Sequence, residues 1–574
     1  MQRALDEQTL AARRIGAYIA AAVLLLLLFY RLVQVELFLR RCGAALGGAA
    51  LLSLAVCGAG LLLQRGRPST LPTTFLLGYP AFGTICFLVG LIRVNRTTMG
   101  AITIAFAAVG IFAIVRRRVP VSQPIVTMPA DLFAGGVLIL LGALAFLAAQ
   151  APPIQLDEVA YHLSVPHEWV KEGRAAELPL ISHSYFPLGS ESADLPLLAF
   201  LGPMRGGIAS HFLHLLAAIA TAAVALRIAN GSLLIVAAIL STPALAITAG
   251  WAQADWPLLG VCLVLFTAIR EKDDAKISGA IAAGLLTKYT FLPFVAIAAI
   301  VSRKWRPIGS GIAIGSVFFL RNLFLTGSPI APFLTGAAPH VGAYRQLSIV
   351  SYVFDRMWVD EALGVASFLL PLLATGFFAA ITGVLGVVLL LALTPSSRIL
   401  VPFFALPGLT AREPGRVLRS LLVAAIVAQT FIVALFINSS HPFDLLSGRQ
   451  SDEEYVAQNR ASFAASRWID GQLPPDARTL VVGVNETYWF GTAVRGAGNF
   501  DSERISRYLE NPANLARDRI THVAIMARRR REDASKVAER ETVLSPAAKA
   551  ALAQLLQRSV MIGAREDARL YRLR

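Results

Sequence analysis

The chain has 574 residues, of which 56% are hydrophobic and only 15% are charged. Soluble domains contain about 25% charged residues, and the apolar residues here form blocks about one bilayer long, so the composition excludes an ordinary soluble protein. The net charge of +16 does not indicate nucleic-acid binding, because much of it lies in short loops between apolar blocks, where lysine and arginine set membrane orientation.

Five apolar runs precede residue 150 and are predicted to span the membrane. They are residues 15–39, 42–63, 72–92, 99–115 and 131–149. No small-residue cleavage site follows the first run, so we expect it to remain as an uncleaved span. Further apolar runs follow a polar segment. They are residues 206–226, 232–250, 256–269, 277–301, 308–325, 363–394, 398–411 and 417–437.

Arginines in alternate loops predict the orientation. They are Arg13 and Arg14, Arg65 and Arg67, and Arg116 to Arg118. By the positive-inside rule these loops are cytoplasmic, so five crossings place the polar segment 150–196 on the outer side. Arg93 and Arg96 fall on the outer side in this scheme, against the rule.

Two of the later runs are predicted to contain breaks. Lys288 lies in the middle of residues 277–301, and a lysine at bilayer depth is costly, so we expect two short helices that meet at Lys288 near the outer face. Residues 363–394 are too long for one crossing and predict a tight helical hairpin. The total is then about 13–15 membrane helices.

Residues 438–574 are polar and are predicted to form a separate, outer α/β domain. Residues 479–484, 521–526 and the tail around Leu570 are typical of short strands. Residues 453–471, 502–510 and 545–559 show helical periodicity, the last with Ser545 as cap and proline in its first turn. Residues 1–437 would form the transmembrane domain.

The polar segment 150–196, named here the outer loop, contains adjacent carboxylates at Asp157 and Glu158. Charges next to hydrocarbon are costly, so they indicate a function, although a simple solvated loop remains an alternative. A carboxylate pair can bind Mg or Mn, which prefer oxygen ligands. His162 and His167 leave a zinc site open but supply too few ligands to indicate one.

The predicted topology gathers acids and bases at the outer leaflet. They are Asp157, Glu158, Glu191, Asp255, Lys288, Arg321 and Arg398. Each alone is explained by a structural ion pair or a snorkelling side chain. Together they suit a phosphate-bearing lipid, with cations for the phosphate and carboxylates for chemistry beside it. Tyr161, His162 and Tyr289 lie in the same segments and are candidate substrate-binding residues.

Several function classes are excluded by missing motifs. The sequence has no Walker loop, GxSxG elbow, HExxH motif or CxxC pair, so ATP-driven transport within this chain and the common hydrolase classes are not indicated. Its four cysteines lie in or beside apolar runs, so neither a disulfide framework nor a cysteine metal site is expected.

Several segments resemble the bacterial glycosyltransferase-C superfamily, which includes the dolichyl-phosphate-mannose–protein mannosyltransferase type and the aminoarabinose transferases of lipid A. The similar segments are LDEVAYHLSVPHEWVKEGR, SYFPLGSE, GLLTKYTFLP, LRNLFLTGSPIAPF and SSRILVPFFALP. The C-terminal domain resembles the small periplasmic domain of many members. The chain departs from the family pattern at Ser328, Ala331 and Ile399.

The resemblance implies a polytopic helical protein of the bacterial inner membrane. Such a protein would transfer a sugar from a polyprenyl-phosphate donor to a lipid, glycan or protein acceptor, and it would invert the configuration at the anomeric carbon. Asp157, and less directly Glu158, match the family's acidic motif for acceptor activation. Lys288, Arg321 and Arg398 match positions for the donor phosphate. Two alternatives stay open: a non-catalytic carrier or assembly protein for lipid-linked sugars, and a member that binds polyprenyl phosphate within a complex.

Overall fold

The computed structural model describes most of the chain. The described residues are 35–64, 69–117, 131–333, 363–369, 377–392, 397–410, 414–484, 486–497, 501–526 and 544–574. Within these ranges the chain is mainly helical, and a five-stranded sheet lies near its C-terminal end. The predicted fold class, a helical membrane bundle followed by a small α/β domain, is confirmed in these parts of the chain.

In the described residues, four helices precede the outer loop. They are α1 (Val35–Leu63), α2 (Leu71–Gly90), α3 (Arg96–Arg117) and α4 (Asp131–Ala149). The sequence predicted a break between two spans near Arg40 and Arg41, but α1 continues through both. Arg40 pairs with Glu36 one turn earlier, and Arg41 pairs with Asp452 at 2.6 Å. These carboxylates let two arginines lie in a helix without ending it. Most of the predicted span 15–39 falls outside the described residues.

Within the described ranges, the bundle continues after the outer loop with helices of very different lengths. They are α7 (Leu195–Ile228), α8 (Leu233–Leu240), α9 (Pro243–Ala246), α10 (Asp255–Glu271), α11 (Asp274–Thr287), α12 (Leu292–Ser302), α13 (Trp305–Gly315), α14 (Val317–Thr326), α15 (Gly364–Leu369), α16 (Phe377–Ala392), α17 (Val401–Leu409) and α18 (Arg416–Ser439). In the described part of the chain, five helices are long and apolar enough to cross a membrane, or seven if two bent pairs each count as one span. The chain is a multi-pass membrane protein; the total of 13–15 helices stays a prediction.

The predicted break at Lys288 is present. Helix α11 ends at Thr287, Lys288 is extended with φ −159° and ψ 146°, and a 3₁₀ turn over Tyr289–Phe291 leads into α12. The hairpin predicted over residues 363–394 has helices α15 and α16 at its two ends, while its turn falls outside the described residues.

Glycines let the first helices pack with their backbones in contact. A Cβ on Gly58 of α1 would lie 2.1 Å from the Phe106 carbonyl oxygen of α3. A Cβ on Gly60 would lie 1.9 Å from the Thr74 carbonyl oxygen of α2. Small residues at helix crossings are the usual means of close association in membranes. Helix α1 is therefore held tightly between its two neighbours.

The outer loop contains only short elements. They are one π-helical turn (Glu158–His162), α5 (Ser164–Glu172), a 3₁₀ turn (Ser182–Tyr185) and α6 (Gly189–Ser192). The loop packs against the connection between α2 and α3, where the Val94 amide donates to the Gly173 carbonyl at 2.7 Å. Arg93 and Arg96 therefore lie at the same end of the bundle as the outer loop, as the predicted topology requires.

The C-terminal domain is built on a mixed sheet with strand order β2-β1-β3-β5-β4. The strands are β1 (Arg478–Val482), β2 (Ala493–Ala497), β3 (His522–Met526), β4 (Val560–Arg565) and β5 (Ala568–Arg572). The first three are parallel to one another, while β5 is antiparallel to β3 and β4. Leu480 and Val482 pack on one face of the sheet, and Val481 packs on the other.

Four helices pack on the two faces of the sheet, namely α21 (Ala461–Asp470), α22 (Ser502–Glu510), α23 (Ala513–Arg517) and α24 (Pro546–Gln557). Two shorter helices before them, α19 (Pro442–Leu446) and α20 (Asp452–Asn459), pack against the outer loop. The predicted cap is confirmed, because Ser545 Oγ accepts from the Ala548 amide at 3.0 Å. The single helix predicted over residues 453–471 is wrong: the chain is extended at Arg460, and this bend separates α20 from α21.

Candidate active site at the outer loop

The outer loop is fixed on one side by the C-terminal domain. His167 Nδ1 lies 2.9 Å from the Tyr488 carbonyl oxygen, and Lys171 Nζ donates to the Phe490 carbonyl at 3.1 Å. Burial lowers the pKa of His167 to about 3, so the ring is neutral near pH 7 and donates its Nδ1 proton to the carbonyl. This histidine holds the loop and the domain together.

Asp157 and Arg398 form the first charged pair of the site. Asp157 precedes the π-helical turn, and Arg398 lies in the 3₁₀ turn Ser397–Leu400 before α17. Their side chains meet at 2.5 Å, and Arg398 also donates to Gln253. The side chains of Asp157 and Arg398 are 26% and 17% exposed. Both members can therefore be reached by a ligand.

The charge of Arg398 controls the acidity of Asp157. Burial alone would raise the pKa of Asp157, but Arg398, His162 and His183 lower it to about 2. The carboxylate is therefore ionised at neutral pH, and it is a weak base as long as Arg398 stays beside it.

Asp255 and Lys288 form the second charged pair. Asp255 is the first residue of α10, and Lys288 occupies the break between α11 and α12. Lys288 Nζ donates to Asp255 Oδ1 at 3.0 Å, while Asp255 Oδ2 is buried without a hydrogen-bond partner among the described residues. Asp255 also interacts electrostatically with Arg398. The two charged pairs therefore belong to one cluster.

His162 and Glu191 form a third pair, and His162 lies near the carboxylates of Asp157 and Asp255. His162 Nδ1 is 2.8 Å from Glu191 Oε1. His162 Nε2 and Glu191 Oε2 are buried, and neither has a hydrogen-bond partner in the described ranges. His162 interacts electrostatically with Asp157 and with Asp255. Buried polar atoms without partners are costly, so their convergence indicates that polar ligand groups or water complete the site.

Aromatic rings extend from the charged cluster toward the surface. Tyr161 lies 4.0 Å from the His162 ring and stacks on His183 at 4.2 Å. Phe186 follows at 4.9 Å from His183, and Tyr289 lies 5.6 Å from Phe186. Burial lowers the pKa of His183 to about 4, so this ring is neutral near pH 7. Such a row of rings offers stacking surfaces for a sugar.

Glu158 has different surroundings from its neighbour Asp157. It is fully buried, and it accepts from the amides of Ala252 at 2.6 Å and Gln155 at 3.1 Å. His211 Nε2 lies 2.9 Å from the same carboxylate. Glu158 therefore joins the loop to the segment before α10 and to α7, and we assign it a positioning role. A catalytic role for Glu158 stays a prediction, and no accessible carboxylate oxygen supports it.

A divalent cation shared by Asp157 and Glu158, as predicted, needs both carboxylates to face one point. Asp157 binds Arg398 and Glu158 binds His211, so the two carboxylates do not converge on one point. Within the described ranges, no group of three or more His, Cys, Asp or Glu side chains is arranged to hold a metal ion. This arrangement does not fit a shared Mg or Mn site at Asp157 and Glu158.

Arg321 is not brought to the Asp157 cluster. Its guanidinium donates to the Ser184 carbonyl at 2.7 Å and lies over the rings of Tyr185 and Phe87. The next residue, Asn322, donates to the Tyr185 carbonyl at 2.5 Å. Both side chains hold the 3₁₀ turn of the outer loop. The predicted phosphate-binding role of Arg321 gains no support from this placement.

Sequence reasoning missed Gln253 and His183 as parts of the site. Gln253 lies two residues before Asp255 in the segment WAQADWP, and His183 precedes Tyr185. A polar side chain at the end of an apolar run was the available signal for Gln253. His183 gave no comparable signal, because its ring reaches Tyr161 only through the folding of the loop.

Comparisons with known proteins give only a weak likeness. No family model and no curated protein matches the chain. A crystal structure of ArnT from Cupriavidus metallidurans bound to undecaprenyl phosphate aligns with 77% of this chain and 97% of its own, at 12% identity and a TM-score of 0.46. The same protein in the apo state aligns over the same shares at 14% identity and a TM-score of 0.44.

Proposed function

We propose that the chain is a glycosyltransferase that moves a sugar from a polyprenyl-phosphate donor to an acceptor hydroxyl, with inversion, at the outer face of the inner membrane. One observation carries the proposal. Two cation–carboxylate pairs, Asp157–Arg398 and Asp255–Lys288, converge at one end of an apolar bundle. Cations that can hold a lipid phosphate therefore lie beside carboxylates that can accept a proton.

Arg398 and Lys288 would hold the donor phosphate. A guanidinium binds phosphate oxygens in bidentate geometry, and an ammonium group binds them as a point charge. Lys288 is 16% exposed, similar to Arg398. Both cations already bind carboxylates, Asp157 and Asp255. A bound phosphate would therefore compete with these two carboxylates for Arg398 and Lys288.

This competition gives Asp157 its proposed role as general base. When the phosphate engages Arg398, the charge that keeps the pKa of Asp157 near 2 is shared, and burial then raises that pKa. The acceptor oxygen forms a bond to the anomeric carbon, and its proton passes to Asp157. The bond from the anomeric carbon to the phosphate oxygen breaks, and its electron pair leaves with the phosphate.

The remaining residues would bind the sugar and orient the loop. Tyr161 and Tyr289 offer ring faces, while His162 and Glu191 offer the unpartnered polar atoms that a sugar hydroxyl can satisfy. Glu158 fixes the backbone that carries Asp157. The C-terminal domain would cover the loop on the outer side.

The proposal is tested with Asp157→Asn in membranes supplied with radiolabelled polyprenyl-phosphate hexoses and pentoses. We expect transfer to fall by at least about 100-fold, as for loss of a general base. Asp452→Asn is the matched control, because Asp452 forms an ion pair with Arg41 at 2.6 Å and has the same 26% exposure. Transfer within about threefold of wild type in Asp157→Asn would refute the base assignment.

The non-catalytic alternative predicts a different result. A carrier or assembly protein would bind polyprenyl phosphate and transfer no label from any donor. Arg398→Gln would then weaken lipid binding, measured by native mass spectrometry, while Asp157→Asn would leave it unchanged or tighter, because a competitor for Arg398 is removed.

A further inference from the structure

A second charged site lies between the outer loop and the C-terminal domain. It is a cavity of about 370 Å³ walled by residues 172–179 of the outer loop, by strands β1 and β2, and by residues 517–519. Five arginines line it: Arg174, Arg478, Arg495, Arg517 and Arg519. This volume is within the range of small-molecule pockets and holds about one monosaccharide unit.

The carboxylates of the cavity do not balance these arginines. Only Glu172, Glu177 and Asp518 line it beside the five guanidinium groups, which leaves two positive charges. Glu172 is shared, because it lies 2.6 Å from Arg478 and 2.9 Å from Arg495.

The other two carboxylates are also engaged. Glu177 accepts from the Tyr185 hydroxyl at 2.5 Å, and Asp518 accepts from Arg517 at 3.0 Å. The acids within the cavity are therefore already used by neighbouring groups and leave no carboxylate for further arginines.

Three of the arginines have unmet bonding capacity. Arg495 is only 8% exposed, and its Nε has no hydrogen-bond partner among the described residues. The side chains of Arg174 and Arg519 make no hydrogen bond or ion pair within the parts of the chain that the structure describes. Arg174 and Arg519 are exposed to solvent, whereas the buried Nε of Arg495 is costly without a partner. The cavity is therefore suited to an anion that supplies an acceptor to Arg495 and contacts the two exposed guanidinium groups.

The strand register and a backbone turn bring these side chains close together. Arg495 is the register partner of Leu480 in the parallel pair β1–β2, and Leu480 is two residues after Arg478. Arg478 and Arg495 therefore project from the same face of the sheet. Arg519 has a left-handed backbone with φ 54°, where the chain turns from α23 into β3. A glutamate of the outer loop, Glu172, closes the cavity from the opposite side.

We propose that this cavity binds a phosphate or carboxylate group of an anionic saccharide acceptor. Anion binding follows from the cavity alone, while the identity of the anion as the acceptor rests on the proposed transferase function. The segment 172–185 connects the two sites, since Glu177 holds the Tyr185 side chain and the Tyr185 carbonyl accepts from Tyr289 at 3.0 Å. Tyr289 is adjacent to Lys288. The acceptor would thus be held at its charged end while its hydroxyl reaches Asp157.

The test measures anion binding by the full-length protein in nanodiscs of zwitterionic lipid. The probes are inorganic phosphate, glucuronate and, as a neutral reference, glucose, each followed by calorimetric titration. The double variant Arg174→Gln/Arg519→Gln removes two cations that hold no ion pair in the described structure. Arg558→Gln/Arg569→Gln is the charge-matched control, because both residues are exposed in the same domain and neither lines the cavity.

We expect saturable binding of phosphate or glucuronate with a Kd raised at least about tenfold in the cavity variant and less than twofold in the control. Binding of phosphate alone would identify a phosphorylated saccharide, and binding of glucuronate alone a uronic acid. Failure of both anions to bind, or equal weakening in both double variants, overturns the proposal.

Asp157→Asn separates this inference from the transferase proposal. In the Asp157→Asn background the cavity variant should still raise the anion Kd at least about tenfold, because Asp157 does not line the cavity. If transfer is established, the cavity variant should raise the acceptor KM and leave kcat within about twofold. A fall in kcat with unchanged KM would refute the assignment of the anion as the acceptor. It would not affect the anion site itself, which the titration establishes independently.

Discussion

Arg398 and Asp157 are 241 positions apart in the sequence, yet their side chains meet at 2.5 Å. Asp157 directly precedes the π-helical turn of the outer loop, and Arg398 precedes α17 in the last third of the bundle. The pair therefore joins the loop to a helix that lies much further along the sequence. Its two members carry the proposed base and the proposed phosphate ligand.

Replacing Arg398 by Gln should shift the pH dependence of transfer. Without the guanidinium, burial acts on Asp157 with less opposition, and its pKa rises from about 2. A general base must be ionised, so the acid limb of kcat/KM should move to higher pH in Arg398→Gln and move less in Arg398→Lys, which keeps a charge. The check is a pH–rate profile from pH 3 to 8. An acid limb at the same pH in wild type and Arg398→Gln would refute the coupling.

Replacing Lys288 by Met should destabilise the fold as well as reduce donor binding. Asp255, 5% exposed, would be left as a buried charge without its cation, which costs about 3 kcal/mol. The double variant Asp255→Asn/Lys288→Met should recover most of the unfolding midpoint, because no charge is left unpaired, and it should not recover transfer. Recovery of transfer by the double variant would show that Lys288 serves only the stability of the bundle.

Gly83 should be essential to the position of Glu191. A Cβ at Gly83 of α2 would lie 1.8 Å from the Gly189 carbonyl oxygen, so Gly83→Ala must push α6 away from the bundle. Glu191 lies in α6 and would be displaced from His162. Gly136 of α4 is the matched control, because a Cβ there has nothing within 4 Å. We expect transfer to fall at least about tenfold in Gly83→Ala and to be unchanged in Gly136→Ala, with a stability loss of about 1–3 kcal/mol in the former only.

Asp501 should make the contact between the loop and the domain depend on pH. Burial raises the pKa of Asp501 to about 6, against the hydrogen bond from the Ser182 amide and the charge of Arg504. The folded state therefore binds the proton more tightly than the unfolded chain does. The resulting stability is fully present below about pH 3.8 and is lost as the pH rises through about 6.

The difference of about two pKa units corresponds to roughly 3 kcal/mol. Asp501→Asn, which cannot ionise, should remove this dependence. The measurement is the unfolding midpoint from pH 4.5 to 7.5, together with hydrogen exchange of the Ser182 amide, which donates to Asp501 at 3.1 Å. Identical pH slopes in wild type and Asp501→Asn would contradict the assignment.

Much of the architecture follows from composition and from the cost of charge in hydrocarbon. The break at Lys288 was predictable, because a lysine in an apolar run must reach the end of a helix. The C-terminal domain was predictable from its alternation of strand and helix patterns. Strands β2 and β4 were missed, because AVRGA and VMIGAR contain glycine and arginine, which weaken a strand signal that tertiary pairing supplies.

The site was predictable as a set of residues at one end of the bundle, but their pairing was not. Positive-inside topology brings Asp157, Lys288 and Arg398 to the same end. It cannot show that Glu158 turns to His211 or that Arg321 turns to Ser184, because these choices depend on side-chain geometry within a few ångströms. Adjacent residues on a helical turn point in different directions, so two neighbouring carboxylates need not share one function.

The contacts between the outer loop and the C-terminal domain also have a consequence for biosynthesis. His167 reaches a backbone carbonyl 321 positions further along the chain. During translation the loop is therefore made long before residues 478–497 exist to cover it. The bundle can insert early, but the loop acquires its final shape only when the last strands have been made and folded against it. A chain that ends within the bundle therefore lacks the backbone carbonyl that His167 contacts, and this side of the loop stays uncovered.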